Sequence, residues 1–282
     1  MTPGAAVRRG RLTGGLMTAA ALALLVFLAL PLVALLVRVT PGQLLARLGQ
    51  PVVLDALRLS LLTSAAATVI VVALGIPLAH RLATREFRGK RLVELIVDLP
   101  MVLPPTVAGF ALLMAFGRYG LLGRALNLCG VTLPFTTLGV VTAQVFMAAP
   151  FFIGSTRAGF AAVDRRLLDA AATSRASETY TFLHVTLPLA RPAIVAGATL
   201  SAARALGEFG ATITFAGNLP GTTQTMPLAV YVALQSDLDA AVVLSVLLLA
   251  TSCGLLLGLR AAPAGSFWFK PGAPARGPQA TR

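Results

Sequence analysis

The sequence predicts an all-α polytopic membrane protein of about six spanning helices, and three observations carry that expectation. Of 282 residues, 57% are hydrophobic and only 12% are charged, against about 25% charged in a soluble domain. Six apolar runs of roughly 20 residues follow one another, each long enough to cross a hydrocarbon core of about 30 Å. Lys and Arg collect in alternate connecting segments, the bias that orients membrane proteins during insertion.

The first run, Leu16 to Val37, follows a basic segment, residues 1–15, that holds Arg8, Arg9 and Arg11. It is longer than the apolar core of a signal peptide and no small-residue cleavage site follows, so it reads as a retained helix. The second run, Leu57 to Ala79, leads into Arg81, Arg85, Arg88, Lys90 and Arg91. The third, Leu95 to Phe116, is interrupted by Pro100, Pro104 and Pro105. The fourth, Leu138 to Arg157, precedes a polar connection over about residues 158–190 with Arg165, Arg166 and Arg175. The fifth runs from Ala193 to Phe215 and the sixth from Leu238 to Leu259. The spanning domain is thus residues 16–259. The tail, residues 260–282, is short and rich in Pro and Gly, and is expected to be disordered. The remaining connections carry only Arg38, Arg47, Arg58, Arg118 and Arg124, which puts both termini in the cytoplasm.

The net charge of +13 therefore reflects insertion rather than nucleic-acid binding. Cys129 and Cys253 stand far apart and suggest no disulfide framework. Neither His80 nor His184 lies at metal-ligand spacing from another donor, and no nucleophile stands beside a base. No catalytic site, metal or cofactor is expected. Gly89-Lys90 lacks the upstream glycine of a phosphate-binding loop and is followed by Arg91, so any ATP hydrolysis belongs to a partner. No long internal repeat is visible, and six helices make a pathway most simply by pairing with a second copy.

The polar connection reads as two short helices. Asp164 caps the first, whose Leu167, Leu168, Ala171 and Ala172 make one apolar face. Ser177 caps the second, Glu178 favours its positive end, and Pro188 is expected to stop it before the fifth span. Such a knob suits a groove on another protein; a solvated connector is the plainer reading.

Asp169-Ala170-Ala171, position 175, and Val185-Thr186-Leu187-Pro188 follow the spacing of the EAA loop of binding-protein-dependent ABC permeases. The resemblance implies an importer permease fold in which this loop couples to a cytoplasmic ATPase dimer. By that resemblance, Asp169, Ala170, Ala171, Arg175, Leu187 and Pro188 are the coupling residues. Asp169 stands where the pattern has Glu. Arg175 stands where it has a turn glycine, so either the turn is right-handed or Arg175 bears strain.

Leu99 to Gly109, Ala203 to Asn218 and Pro220 to Tyr231 make the chain resemble molybdate permeases, with sulfate and tungstate permeases as near relatives. The resemblance spans roughly Leu54 to Leu259. It implies alternating access by a homodimer that receives an oxyanion from an extracytoplasmic substrate-binding protein on the side of Asn218 to Ser236, which equally reads as a plain interfacial loop.

Arg204 and Glu208, four apart in the fifth run, share one helix face and must avoid lipid. They form either a structural ion pair or dimer contact, or a pathway site in which Arg204 draws a dianion inward. Pro104 and Pro105 remove two backbone donors and make either a packing kink or a hinge at a gate. Gly254 and Gly258 match a small-residue packing motif that identifies no partner. The rivals to an ATP-driven importer are an ion-coupled transporter, which would carry more ionisable groups in its spans, and a membrane enzyme, which would need a cluster of acid, base or metal ligands.

Overall fold

Prolines punctuate the apolar runs and decide where helices start and break. The computed structural model describes the backbone of residues 3–261 and the side chains of residues 16–258, and every regular element among them is helical. The N-terminal basic side chains and the tail after Ala261 lie outside the described residues.

The chain opens with α1 (Pro3–Val37), α2 (Pro41–Leu48) and α3 (Pro51–Thr84). Both α2 and α3 begin on proline, whose missing N–H costs nothing in a first turn. Thr40 and Gln43 form a reciprocal cap ahead of α2.

The third run is not one helix. It divides into α4 (Lys90–Val102) and α5 (Pro105–Phe116), separated by Leu103 and Pro104 in extended conformation with ψ of 134° and 133°. A residue before proline avoids the helical region, and here two such positions follow in succession. The two pieces still run along the same neighbour, α7 (Thr137–Ala161), which follows the short α6 (Gly123–Leu128).

After α7 come α8 (Arg165–Thr173), α9 (Glu178–Thr181) and α10 (Leu187–Leu206). The expectation that Pro188 ends a separate short helix is corrected. Phe182–Thr186 forms a π-helical turn, and the helix continues through Pro188 as one apolar element from Glu178 to Leu206. The Leu187 N–H bonds to the Phe182 carbonyl, a register with one extra residue in the turn, so the missing Pro188 donor falls where the ladder is already shifted. The helix then breaks at Gly207 and resumes as α11 (Gly210–Phe215), so the fifth run also consists of two pieces.

Residues Asn218 to Ser236 are not a simple surface loop. Thr223, Gln224 and Thr225 are buried, and α12 (Met226–Ser236) packs on α3 and on α13 (Leu238–Ala261). Ser60 Oγ accepts the Met226 N–H at 2.7 Å, which anchors this segment inside the bundle.

Among the described residues, five helices are long and apolar enough to cross a membrane, and the shorter α4 and α5, which stand where a third single span was expected, both lie along α7. The core lies in separate apolar clusters. Met226, Ala229, Ala241 and Leu244 join α12 and α13 to Val53 and Ala56 of α3. Val71, Phe152, Phe160 and Ala190 join α3, α7 and α10. Ala108, Leu112, Ala143, Met147, Ala211 and Phe215 join α5, α7 and α11. A Cβ on Gly75 would meet the Phe152 ring at 2.6 Å, so α3 and α7 approach closely only because a hydrogen stands there. By contrast, Leu16–Val37 of α1 has a mean hydropathy of 3.0 and no buried residue, a surface suited to lipid or to another protein.

Candidate functional site

The predicted site residues fall into two groups joined by α10, whose 20 residues span about 30 Å. The first is the knob around α8 and α9. Asp164 caps α8 by accepting the Arg166 N–H at 2.9 Å, and Ser177 caps α9 by accepting the Tyr180 N–H at 3.2 Å. Between them Arg175 adopts φ of +57°, the left-handed conformation normally given to glycine. Its N–H bonds to the Ala172 carbonyl at 3.0 Å, and the Ala176 N–H reaches back to the Ala171 carbonyl at 3.1 Å. This paired pattern closes the end of α8. The turn is therefore left-handed and Arg175 carries the backbone cost of adopting it.

No residue of α8 is buried. Asp169, Ala170, Arg175 and Pro188 are exposed, whereas Ala171 and Leu187 are half-buried. Asp169 makes no ion pair among the described residues. A groove of about 770 Å³, bordered by Gly159, Leu167, Ala190 and Ala193, separates α8 from the bundle, so α8 is not packed down onto it.

The base of the knob meets its neighbours through an exposed ion pair and a set of ring contacts. Arg85, beyond the end of α3, bonds to Glu178 at 2.7 Å, which places the α3–α4 connection and the knob at the same end of the molecule. The His80 ring meets Phe160 and Phe182 edge-on at 5.2 and 4.7 Å between centroids. His184 stacks on Tyr180 at 4.1 Å. The base of the knob thus touches α3 and α7 and runs on into α10.

The second group lies where two interrupted helices meet. A Cβ on Gly210 would stand 2.6 Å from Cβ of Pro105, and one on Gly109 would stand 2.7 Å from the Ala211 carbonyl oxygen. The Pro104–Pro105 break and the α10–α11 break are therefore packed against each other. Glu208 is 1% exposed. Its Oε1 accepts the Ala211 N–H at 2.7 Å, and its Oε2 is 2.5 Å from Nη1 of Arg204, whose side chain is 25% exposed. The ion pair is real by proximity, yet Oε2 receives no directed hydrogen bond. A buried carboxylate is thus held by one backbone donor and one partly exposed guanidinium, and losing the guanidinium would leave a buried charge without its partner.

Reading the sequence missed Gln144, Thr212 and Thr225, all buried with side-chain polar atoms unpaired among the described residues. Gln144 was findable as the one amide in an otherwise apolar stretch of α7; the two threonines carry no local signal. It also missed the Glu94–Arg157 pair, 3.0 Å apart, that ties α4 to α7. A Cβ on Gly254 or Gly258 would meet nothing within 4 Å among the described residues, so neither glycine marks a helix contact there. Among the described residues, no group of His, Cys, Asp and Glu could hold a metal ion.

The fold is that of an ABC transporter membrane subunit. A solved bacterial ABC transporter involved in import of the acidic polysaccharide alginate superposes with a TM-score of 0.73 at 15% identity, covering 90% of this chain and 95% of that one. The same kind of transporter, solved with an alginate-pentasaccharide-bound periplasmic protein, gives 0.72. The chain belongs to the binding-protein-dependent transport system inner membrane component family, whose pattern matches residues 71–262. It is similar to the molybdenum transport system permease protein ModB of Mycobacterium bovis, 44% identical over 86% of this chain and 91% of that protein. Against ModB of Escherichia coli K12 it is 41% identical over 64% of this chain and 80% of that protein.

Proposed function

We propose that this chain is the membrane permease of an ATP-driven importer for molybdate. The observation that carries the reading is the 44% identity, over nearly the whole of both chains, to a molybdenum transport permease. The knob gives it a physical means. Two copies form the pathway, each with both termini in the cytoplasm, and each knob seats in a cytoplasmic ATPase through the uncovered side of α8 and the exposed Asp169. An external binding protein delivers the oxyanion.

Basic charge supports that orientation. Arg81, Arg85, Arg88, Lys90 and Arg91 occupy the end of the molecule that carries the knob, where Arg165, Arg166 and Arg175 also stand. When the ATPases close, each knob moves with its base, and α10 carries the displacement to the adjoining breaks at Pro104–Pro105 and Gly207–Phe209. Those breaks let α5 and α11 shift together against α7, which changes the side from which the cavity is open. Arg204 lies at that level and supplies the positive charge for a dianion. The permease thus contributes a path and a moving gate, while the ATPase supplies the energy.

The test is uptake into proteoliposomes holding this chain with its ATPase, with ATP on the ATPase side and the binding protein on the other. Molybdate accumulation that stops when either ATP or the binding protein is withheld is the expected result. Accumulation driven by an ion gradient alone, or uptake of sulfate without molybdate, overturns the reading.

A further inference from the structure

Gln144 is 1% exposed, and both its Oε1 and Nε2 lack a partner among the described residues. Sealing a carboxamide in a helix bundle without hydrogen bonds is costly, so a group left in that state calls for a partner that this arrangement does not supply. Its neighbours narrow where that partner stands. Ala143, the preceding residue, belongs to the cluster that contains Ala211, while Ala148, one turn further on, belongs with Ala67 and Ala205. Ala67 belongs to α3, so these neighbours put Gln144 between α3 and the stretch of chain from Ala205 to Ala211, at the level of Glu208.

We propose that Gln144 is the stand-by partner of Glu208: when Arg204 turns toward a tetrahedral dianion, the Gln144 amide donates to the carboxylate that Arg204 leaves. The proposal rests on the importer reading above. Arg204 is the member of the trio that reaches outward, with its side chain 25% exposed, whereas Glu208 is enclosed. Glu208 Oε2 holds Arg204 without a directed hydrogen bond, so that acceptor is open to a better-aligned donor. Without one, departure of Arg204 strands a buried charge, and the guanidinium stays locked. Gln144 is thus a positioning residue that acts on the anion only through Glu208.

Epistasis in the complete reconstituted transporter tests this. Gln144→Leu is nearly isosteric and removes two unpaired atoms, so the chain folds; Gln144→Met serves in its place if it does not. Uptake of molybdate with ATP and binding protein should fall about tenfold, the scale of one lost charge-assisted hydrogen bond. Adding Glu208→Gln should then restore uptake to within about threefold of the parent, because it keeps the acceptor for the Ala211 N–H while removing the charge that holds Arg204. Restoration supports the relay. Losses that simply add, as a structural role for Gln144 requires, or full uptake by the single variant, overturn it while the importer reading stands. A parent transporter that takes up no molybdate under these conditions removes the importer reading, and the relay with it.

Discussion

Arg175 pairs its neighbours as a helix-ending glycine would, but with a side chain attached. Holding φ at +57° costs an L-residue with a Cβ about 1 kcal/mol. Arg175→Gly should therefore stabilise the purified chain by up to about 1 kcal/mol, less the greater freedom that glycine has in the unfolded state. A lowered thermal midpoint in this variant would mean that the guanidinium makes a compensating contact. Asp237 gives a pH-dependent case. The Ala240 N–H, then the Arg47 guanidinium at 2.8 Å, hold its carboxyl below the ordinary range. A depressed folded-state pKa contributes stability above the unfolded value of about 3.9, and that contribution disappears as pH falls through the folded value. Asp237→Asn should thus lower the thermal midpoint at neutral pH, and the difference from the parent should vanish in acid. An equal difference at both pH values would show that charge is not the cause.

Where α3 and α7 cross, contact depends on a single hydrogen atom. Gly75→Val should destabilise the chain by about 1–3 kcal/mol through overpacking against Phe152, read as a lower denaturation midpoint. An unchanged midpoint would show that the Phe152 ring moves aside freely. The elements differ in how much of them the sequence reveals. The caps at Asp164 and Ser177 were legible because a cap is a local bond between near neighbours. The interruption at Pro104–Pro105 was legible for a similar reason, since missing donors are written in the residues themselves. Pro188 misled because a π turn one step earlier absorbs its missing donor. The burial of Thr225 and α12 was hidden because it depends on Ser60, 166 positions away. Gln144 could be seen as an isolated amide, but its meaning depends on the clusters on either side of it.

Across the whole molecule the proposed function makes the arrangement a lever. At one end is an uncovered helix, α8, tied through Arg85–Glu178 and the His80–Phe160–Phe182 contacts to the three helices of the core. Toward the other end, two helix breaks lean on each other with a buried ion pair beside them. α10 joins the two. α1 stays unburied along its apolar length, a surface that lipid or another protein must cover. The central claim is that the knob is the handle through which a separate ATPase moves the bundle. Its most direct test is site-specific cross-linking from Asp169→Cys in the assembled transporter, in a chain whose Cys129 and Cys253 are replaced. The account predicts a cross-link to the ATPase that arrests molybdate uptake and is released on reduction. Labelling of that cysteine by a membrane-impermeant thiol reagent from the external side, or full uptake with the cross-link in place, would contradict it.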